Sequence, residues 1–396
     1  MAVKKETDVL VVGAGPVGQL ASLRLARRGV DVTILDKHYR TGAHSYALAL
    51  HSDTLRLLHE VGVLDEIAPH AHRVDRVGFY DGATRRCALE FSKLGGDFPY
   101  VLVAPQSCLE TALENRLVEH RVKVLWNHRL EELLESSLTA EIAKLDRVAC
   151  GYPIAQMEWV VVKTFHTRAS FVVGADGYHS VIRERLGIPL VSVGTPNVYS
   201  VFEFDSPIEP DGEVRVVLDD ESTNVLWPMG GGRCRFSFGI RDVEEHEPSR
   251  DSLNARIRER APWFPRVEGP IHWTSAVIFA KRLAESFGRG RVWLAGDSVH
   301  LTSPVGVQSM NAGLGEARDL ADRMADILGG KSTAESLGDY DVGHRDRWRF
   351  LLGIDGAPAE SNGADPWVRQ RASRILSSVP ATGDDLRRLL AQIGLG

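Results

Sequence analysis

Cysteine is scarce in this chain: Cys87, Cys108, Cys150 and Cys234 are the only four, none forms a C-x-x-C pair, and none lies beside histidine at metal-ligand spacing. That pattern argues against a disulfide framework and against a zinc site, so no metal is expected. The four read as small buried hydrophobes. An excess of positive charge is also missing. The net charge is −6, and a general nucleic-acid partner is not expected. No run of like charge marks a tail, and no apolar stretch is long enough to cross a bilayer. No signal peptide is expected either, because Met1-Ala2-Val3-Lys4-Lys5 runs almost at once into a strand-like segment. These absences lead to an expectation of a soluble protein of the reducing cytoplasm. What remains is ordinary in bulk, and 396 residues suffice for two domains with substantial cores.

The chain does have a Gly-rich turn set between a strand and a helix. Val9-Leu10-Val11-Val12 is a buried-strand run, Gly13-Ala14-Gly15-Pro16-Val17-Gly18 follows, and Gln19 to Arg28 reads as a helix ended by Gly29. Val32-Thr33-Ile34-Leu35 predicts a second strand with Asp36 at its end. This order of strand, G-x-G-x-x-G, helix, strand and acid is the fingerprint of dinucleotide binding. Gly13 permits the tight turn, Gly15 lets backbone approach a pyrophosphate, and Gly18 lets helix and strand pack closely. The helix N-terminus, entered through Pro16, offers free N–H groups to phosphates. Asp36 can accept hydrogen bonds from ribose hydroxyls and argues against a 2′-phosphate. Lys37 and Arg40 weaken that last point, since either can meet a phosphate or sit in a solvated turn.

Further along, Arg76–Tyr80 and Arg86–Phe91 around Asp81-Gly82 predict a hairpin. Gln106 opens a helix to about His120, and Val122 to Trp126 predicts a strand. Glu131 to Leu145 is rich in helix formers, although strands are plausible there too. Residues 190 to 281 are mostly β in texture, with a short helix over Asp251 to Arg260. Leu314, Ala317, Leu320, Ala321, Met324 and Leu328 mark one face of a long helix from about Asn311, closed by Gly329-Gly330. The last fifty residues carry charged helical segments. α/β texture therefore encloses a β-rich insert.

Two more strand ends carry Gly and Asp. Phe171-Val172-Val173 runs into Gly174-Ala175-Asp176-Gly177, with a helix near Ser180. Arg291 to Ala295 runs into Gly296-Asp297, followed by a loop containing Pro304 and Gly306. Each Asp stands at the carboxyl edge of a sheet, where ligands of α/β folds sit. Asp297 is placed to bond a sugar or ribityl hydroxyl, and the helix beyond the loop aims its positive end forward.

In this order and spacing the three stretches resemble the FAD-dependent aromatic hydroxylases, the group A flavoprotein monooxygenases of the p-hydroxybenzoate hydroxylase fold. The resemblance spans roughly residues 7 to 345. It implies a Rossmann-like FAD-binding domain over 1–73, 101–189 and 282–345, a mostly β substrate domain over 74–100 and 190–281, and a helical C-terminal segment over 346–396. Gly13, Gly15, Pro16, Gly18, Asp36, Lys37, Gln106, Asp176, Gly296, Asp297, Pro304, Gly306 and Asn311 are its implied cofactor residues. FAD would be resident, and NADH or NADPH would visit, there being no second G-x-G-x-x-G. Through a flavin C4a-hydroperoxide, O2 would oxygenate an electron-rich aromatic or polyketide-like small molecule. The protein's task would be to orient the ring and exclude water.

Tyr46 departs from the family, which often has Arg in that stretch, and this bears on flavin mobility and nicotinamide contacts. Tyr46, His51, Trp227 and Arg235 are candidates for lining or orienting substrate, as is Tyr100; no general base stands out. His300 reads as a loop brace hydrogen-bonded to backbone. Rival readings are a halogenase, although Ile271-His272-Trp273-Thr274 lacks the W-x-W-x-I-P stretch, a flavin reductase or dehydrogenase acting on a C=C bond, and a non-catalytic FAD-binding accessory protein.

Overall fold

An apolar run without a polar face needs cover on both sides, which a strand commonly finds inside a parallel sheet. In a computed structural model, described over residues 3–39, 49–150, 156–209, 211–356, 358 and 364–396, Val9 to Val12 lies in such a strand, β1 (Glu6–Val12). Then come α1 (Pro16–Arg27) and β2 (Val32–Leu35). β1 pairs in parallel with β2 on one side and on the other with β3 (Gln156–Gly174), which pairs in parallel with β4 (Val292–Leu294). The chain leaves β1 in one direction and comes back on the opposite side as β3. The crevice between their carboxyl ends is therefore a topological switch point, where open α/β sheets take ligands.

β3 does two jobs. Its last residues complete the parallel layer, while its earlier part pairs antiparallel with Thr139–Cys150, which pairs in turn with His128–Leu134. The helix-forming composition of 131–145 is overridden here. Leu138, Ala140 and Ile142 are buried while Thr139 and Glu141 between them are not, the period of two of a strand. The strand expected over Val122 to Trp126 shrinks to a single parallel bridge, Leu35 to Leu125. Arg121 and Asn127 have φ of 63° and 58° and break the extended run at both ends.

The β-rich stretch forms a second, seven-stranded sheet in the order 271–279, 197–205, 233–240, 223–229, 213–218, 76–81, 84–90. The 76–90 hairpin joins it through parallel pairing of 76–81 with 213–218. Phe202, Phe204, Phe236 and Phe238 pack with Leu253 and Ile257 of helix Arg250–Arg260 into a core of their own. The remaining helices used below are α2 (Ser52–Glu60), α3 (Gln106–Glu119), α4 (Gln308–Leu328), α5 (Ser336–Leu352) and α6 (Gly383–Ala391). Cys234 is buried, but Cys87 and Cys108 are only half-buried. The Cys150 side chain lies outside the described residues. Among the described residues no helix is long and apolar enough to cross a membrane, and no cluster of His, Cys, Asp and Glu can hold a metal.

α4 lies against α1, tied by two bonds from Arg24 to the Asp322 carboxylate at 2.7 and 2.8 Å. Close approach is possible because Gly313 has no side chain: a Cβ there would sit 2.9 Å from Val17 Cγ2 and 3.0 Å from Gly296 Cα. Two residues on, a Cβ at Gly315 would meet nothing within 4 Å. Helix propensity alone favours Ala over Gly at both positions by about 1 kcal/mol. We expect Gly315→Ala to gain about that much stability and Gly313→Ala to lose stability. Urea denaturation of the two variants checks this, and a shift of the same sign in both would contradict the α1–α4 contact.

Candidate functional site

Two adjoining cavities follow the crevice at the strand ends, and Gly15, Ala175 and Gly177 line both. One end is walled by Gly13, Asp36, Lys37, His128 and Asp176. The other is walled by Pro16, Gln106, Phe279, Asp297, Thr302, Ser303, Pro304 and the first turn of α4. The trough is thus a meeting place of three loops far apart in sequence.

The Gly-rich turn is shaped by contact. A Cβ at Gly13 (φ +102°) would lie 2.1 Å from the Ala175 carbonyl oxygen, and one at Gly18 would lie 2.0 Å from the Gly13 carbonyl oxygen. Gly15, by contrast, faces open space. It is the N-cap of α1, with no side-chain cap, so the first N–H groups of that helix stay available. Asp36 Oδ2 accepts from Ala14 N–H at 2.8 Å, and Oδ1 accepts from His38 N–H at 2.8 Å. Asp176 Oδ2 takes the N–H groups of Val181 and Ile182 at 2.8 and 3.2 Å, while its buried Oδ1 has no partner. Burial pushes this carboxyl above its ordinary range, against the opposing pull of Ser180 and the backbone donors.

Asp297 is exposed towards the cavity and accepts from Ser309 Oγ at 2.7 Å. Behind it sits a fully buried carboxylate. Glu316 Oε2 accepts from Gly296 N–H at 2.8 Å and lies 2.9 Å from His300 Nε2, and Oε1 accepts from Trp348 Nε1 at 2.7 Å. The His300 ring stacks on Trp348 with centroids 3.8 Å apart. His300 braces the loop, but its side-chain partners are Glu316 and, at 3.3 Å, Ser309 Oγ rather than backbone. A buried carboxylate supplied by α4 could not be foreseen from the loop alone. Burial pushes Glu316 up, yet the neighbouring His300 ring, His344 and the Gly296 N–H outweigh this and hold it down at about 2.

The other sequence candidates, Gln106 apart, sit around the trough rather than in it. Asn311 is buried and ties α4 to α2: its Oδ1 takes His51 N–H and Thr54 Oγ at 2.9 and 2.7 Å, and its Nδ2 donates to Ala49 and Val307 carbonyls. The Gly306 carbonyl lies 3.0 Å from His51 Nε2, and a Cβ on Gly306 would press 2.9 Å from the carbonyl oxygens of Ser377 and Val379. His51 is buried and pushed down to about 3 by that burial, so it is a neutral brace. Trp227 is buried in the second sheet opposite Arg235, whose Nε donates to Glu203 at 2.8 Å and whose guanidinium lies over Trp273. Tyr100 is capped by Arg73. Gln106 opens α3 and donates to Glu110 at 2.8 Å. Tyr46 and Arg40 fall outside the described residues.

Several wall residues carry no recognisable sequence signal. His128 Nε2, Thr302 Oγ and Gln308 Oε1 are buried polar atoms without partners, all on the trough wall. Phe279 arrives from the second sheet, edge-on to Tyr199, whose hydroxyl lies 3.3 Å from Ser303 Oγ. Val307, the N-cap of α4, holds a left-handed φ of 50°, an uncommon and strained state for a β-branched residue. Four orphaned polar atoms and two uncapped helix N-termini along one channel suit an elongated, phosphate-bearing ligand.

A family model described as an FAD binding domain matches residues 6–350. The chain belongs to this FAD-binding family. Among curated relatives it is similar to a rifampicin monooxygenase of Rhodococcus hoagii, 25% identical over 98% of this chain and 77% of that one. It is also similar to a 3-(3-hydroxy-phenyl)propionate/3-hydroxycinnamic acid hydroxylase of Mycobacterium sp. (strain JLS), 27% identical over 88% of this chain. It spans 59% of that relative's length. The crystal structure of p-nitrophenol 4-monooxygenase from Pseudomonas putida DLL-E4 shares the fold, with a TM-score of 0.75 at 22% identity over 98% of this chain and 97% of that one.

Because the folded protein holds Glu316 below its ordinary value, the stabilisation from that carboxylate is present above about pH 4.5 and is lost as pH falls towards 2. Glu316→Gln should therefore be less stable at pH 7, and its deficit against the parent should narrow on acidification. Urea midpoints across pH check this; a deficit that stays constant would contradict a charged Glu316.

Proposed function

We propose that the protein is an FAD-dependent monooxygenase that uses NADH or NADPH and O2 to hydroxylate a small phenol or related electron-rich ring. The observation that carries this reading is the trough itself, in which the open face of Gly15 lies between two uncapped helix N-termini and the orphaned Asp176 Oδ1. The family match and the oxygenase names of the relatives support it. When bound, FAD would supply the redox chemistry, hydride acceptance and activation of O2, that this chain's own side chains lack.

In this reading the turn of Gly13, Gly15, Pro16 and Gly18 receives the pyrophosphate on the N-terminus of α1. Asp36 and Lys37 serve the adenosine end and Asp176 the middle. Gly296 shapes the turn that presents Asp297 to the ribityl hydroxyls. Gln106, Pro304 and the N-terminus of α4 border the redox-active ring, where the helix dipole favours the negative charge of the reduced state. Gly306 and Asn311 hold that loop from behind. The β-rich part, residues 74–100 and 190–281, acts as the substrate domain and closes the far side of the cavity through Phe279. Phe279, Leu301, Val307 and Met310 give an aromatic ring an apolar seat, and Ser303, braced from behind by the Tyr199 hydroxyl, offers a hydroxyl to a polar substituent. Excluding water here protects the activated oxygen from wasteful loss. Free thiols at Cys87, Cys108 and Cys234 accord with a cytoplasmic setting.

The purified protein is expected to be yellow, to release FAD on denaturation, and to oxidise NADH or NADPH faster when a phenol is added. Protein that takes up no flavin from excess FAD would refute the reading. Asp297→Ala should lower flavin content per chain, and Gly15→Val should abolish it while the flavin-free protein keeps its unfolding midpoint. Absorbance at the flavin band and a thermal melt separate these effects. Phe279→Ala should retain flavin and raise KM for the phenol.

A further inference from the structure

A separate cleft opens on the other side of α4, between α2, α5 and α6. Its floor is apolar, made by Leu57, Leu351 and Leu386. Arg318 and Arg347 line this cleft and also the adjoining surface hollow, so they stand at its mouth. The carboxylates around them are already bonded: Asp53 and Asp385 to Arg56, Asp384 to Arg387, and Glu316 to its three donors. The side chains of Arg318 and Arg347, in contrast, make no hydrogen bond or ion pair among the described residues. The mouth therefore carries two unmatched positive charges above an apolar floor.

Gly315 is a second, independent sign. It sits in the middle of a 21-residue helix, where glycine is unfavourable. Gly313 is explained by close packing on Val17 and Gly296, but Gly315 touches nothing, because it looks into this cleft. A side chain there would fill the space.

We propose that the cleft binds a small amphipathic carboxylate, its apolar part on Leu57, Leu351 and Leu386 and its charged end between Arg318 and Arg347. Guanidinium–carboxylate bonds are charge-assisted and directional, and the apolar floor favours a ring or short chain over a bare inorganic anion. This site is independent of the FAD reading. One of its walls, however, is Glu316, which holds the Gly296 turn from the opposite side.

The test is calorimetric titration of the full-length protein, with whatever flavin it carries, using phenylacetate, with benzyl alcohol and inorganic phosphate as comparisons. Saturable binding of phenylacetate is expected, with benzyl alcohol and phosphate each at least about tenfold weaker. Arg318→Ala and Arg347→Ala should each weaken it by about tenfold. Gly315→Leu should remove it without lowering the unfolding midpoint, and Phe279→Ala should leave it intact. Absence of saturable binding, equal binding of phosphate, or affinity unchanged in Gly315→Leu and both arginine variants would overturn the proposal. Loss in Phe279→Ala alone would assign the binding to the flavin-side cavity and overturn it equally.

Discussion

Backbone lying directly on backbone is the constraint from which the rest of the molecule follows. The turn after β1 touches the turn after β3, and both distances around Gly13 and Gly18 leave no room for a single carbon. β1 and β3 can run side by side to their last residues, Val12 and Gly174, only because nothing projects between the loops that follow. The contact leaves a shallow channel whose floor is main chain and whose edges are helix ends. α4 extends the same principle. Gly313 sets it against Val17, and Gly296 meets the same side chain, so the third loop joins the other two within one van der Waals layer.

A second layer of control is electrostatic. Glu316 is entirely buried and takes three donors from three parts of the chain: the Gly296 turn, the His300 loop and Trp348 of α5. A buried carboxylate is tolerated only with such compensation. It fixes the turn that carries Asp297 without occupying the cavity, so Asp297 remains free to face inward. The loop is further held by Asn311 and His51, which saturate backbone groups of 306–307 and of Ala49. The arrangement is a rigid support behind an open face, as precise positioning of a ligand requires.

Much of the parallel layer was legible, because its signals are local. An unbroken apolar run, a Gly pattern and a terminal acid each report on neighbouring residues, and β1, α1, β2 and Asp36 stand where the pattern implies. The 76–90 hairpin and the α4 face were equally local. Residues 131–145 stayed open between helix and strand because helix propensity is local, whereas the strand is decided by pairing with other segments, 128–134 with 139–144 and 139–150 with 156–168. Arg121 and Asn127 broke a strand through left-handed backbone that their side chains do not announce. In the site, Asp176 and Asp297 were visible as strand-end acids. His128, Thr302, Gln308 and Phe279 were not, since each belongs to the wall only through tertiary contact. His51, Trp227 and Arg235 looked functional as residue types, but they are consumed by packing and pairing.

The family match stops at residue 350, yet the backing of the loop beside the cavity comes from beyond it. Gln308 donates from Nε2 to the carbonyls of Leu376 and Val379, and Gly306 is wedged against the backbone of the same segment. The cooperative unit is thus larger than the recognisable one. Shortening the chain at the apparent boundary would strip the backing from Pro304 to Gln308 and leave the strained Val307 unsupported. The tail thus enters the site's architecture through main-chain carbonyls, while the side chains of the same residues, Leu376 and Val379, anchor it in the core.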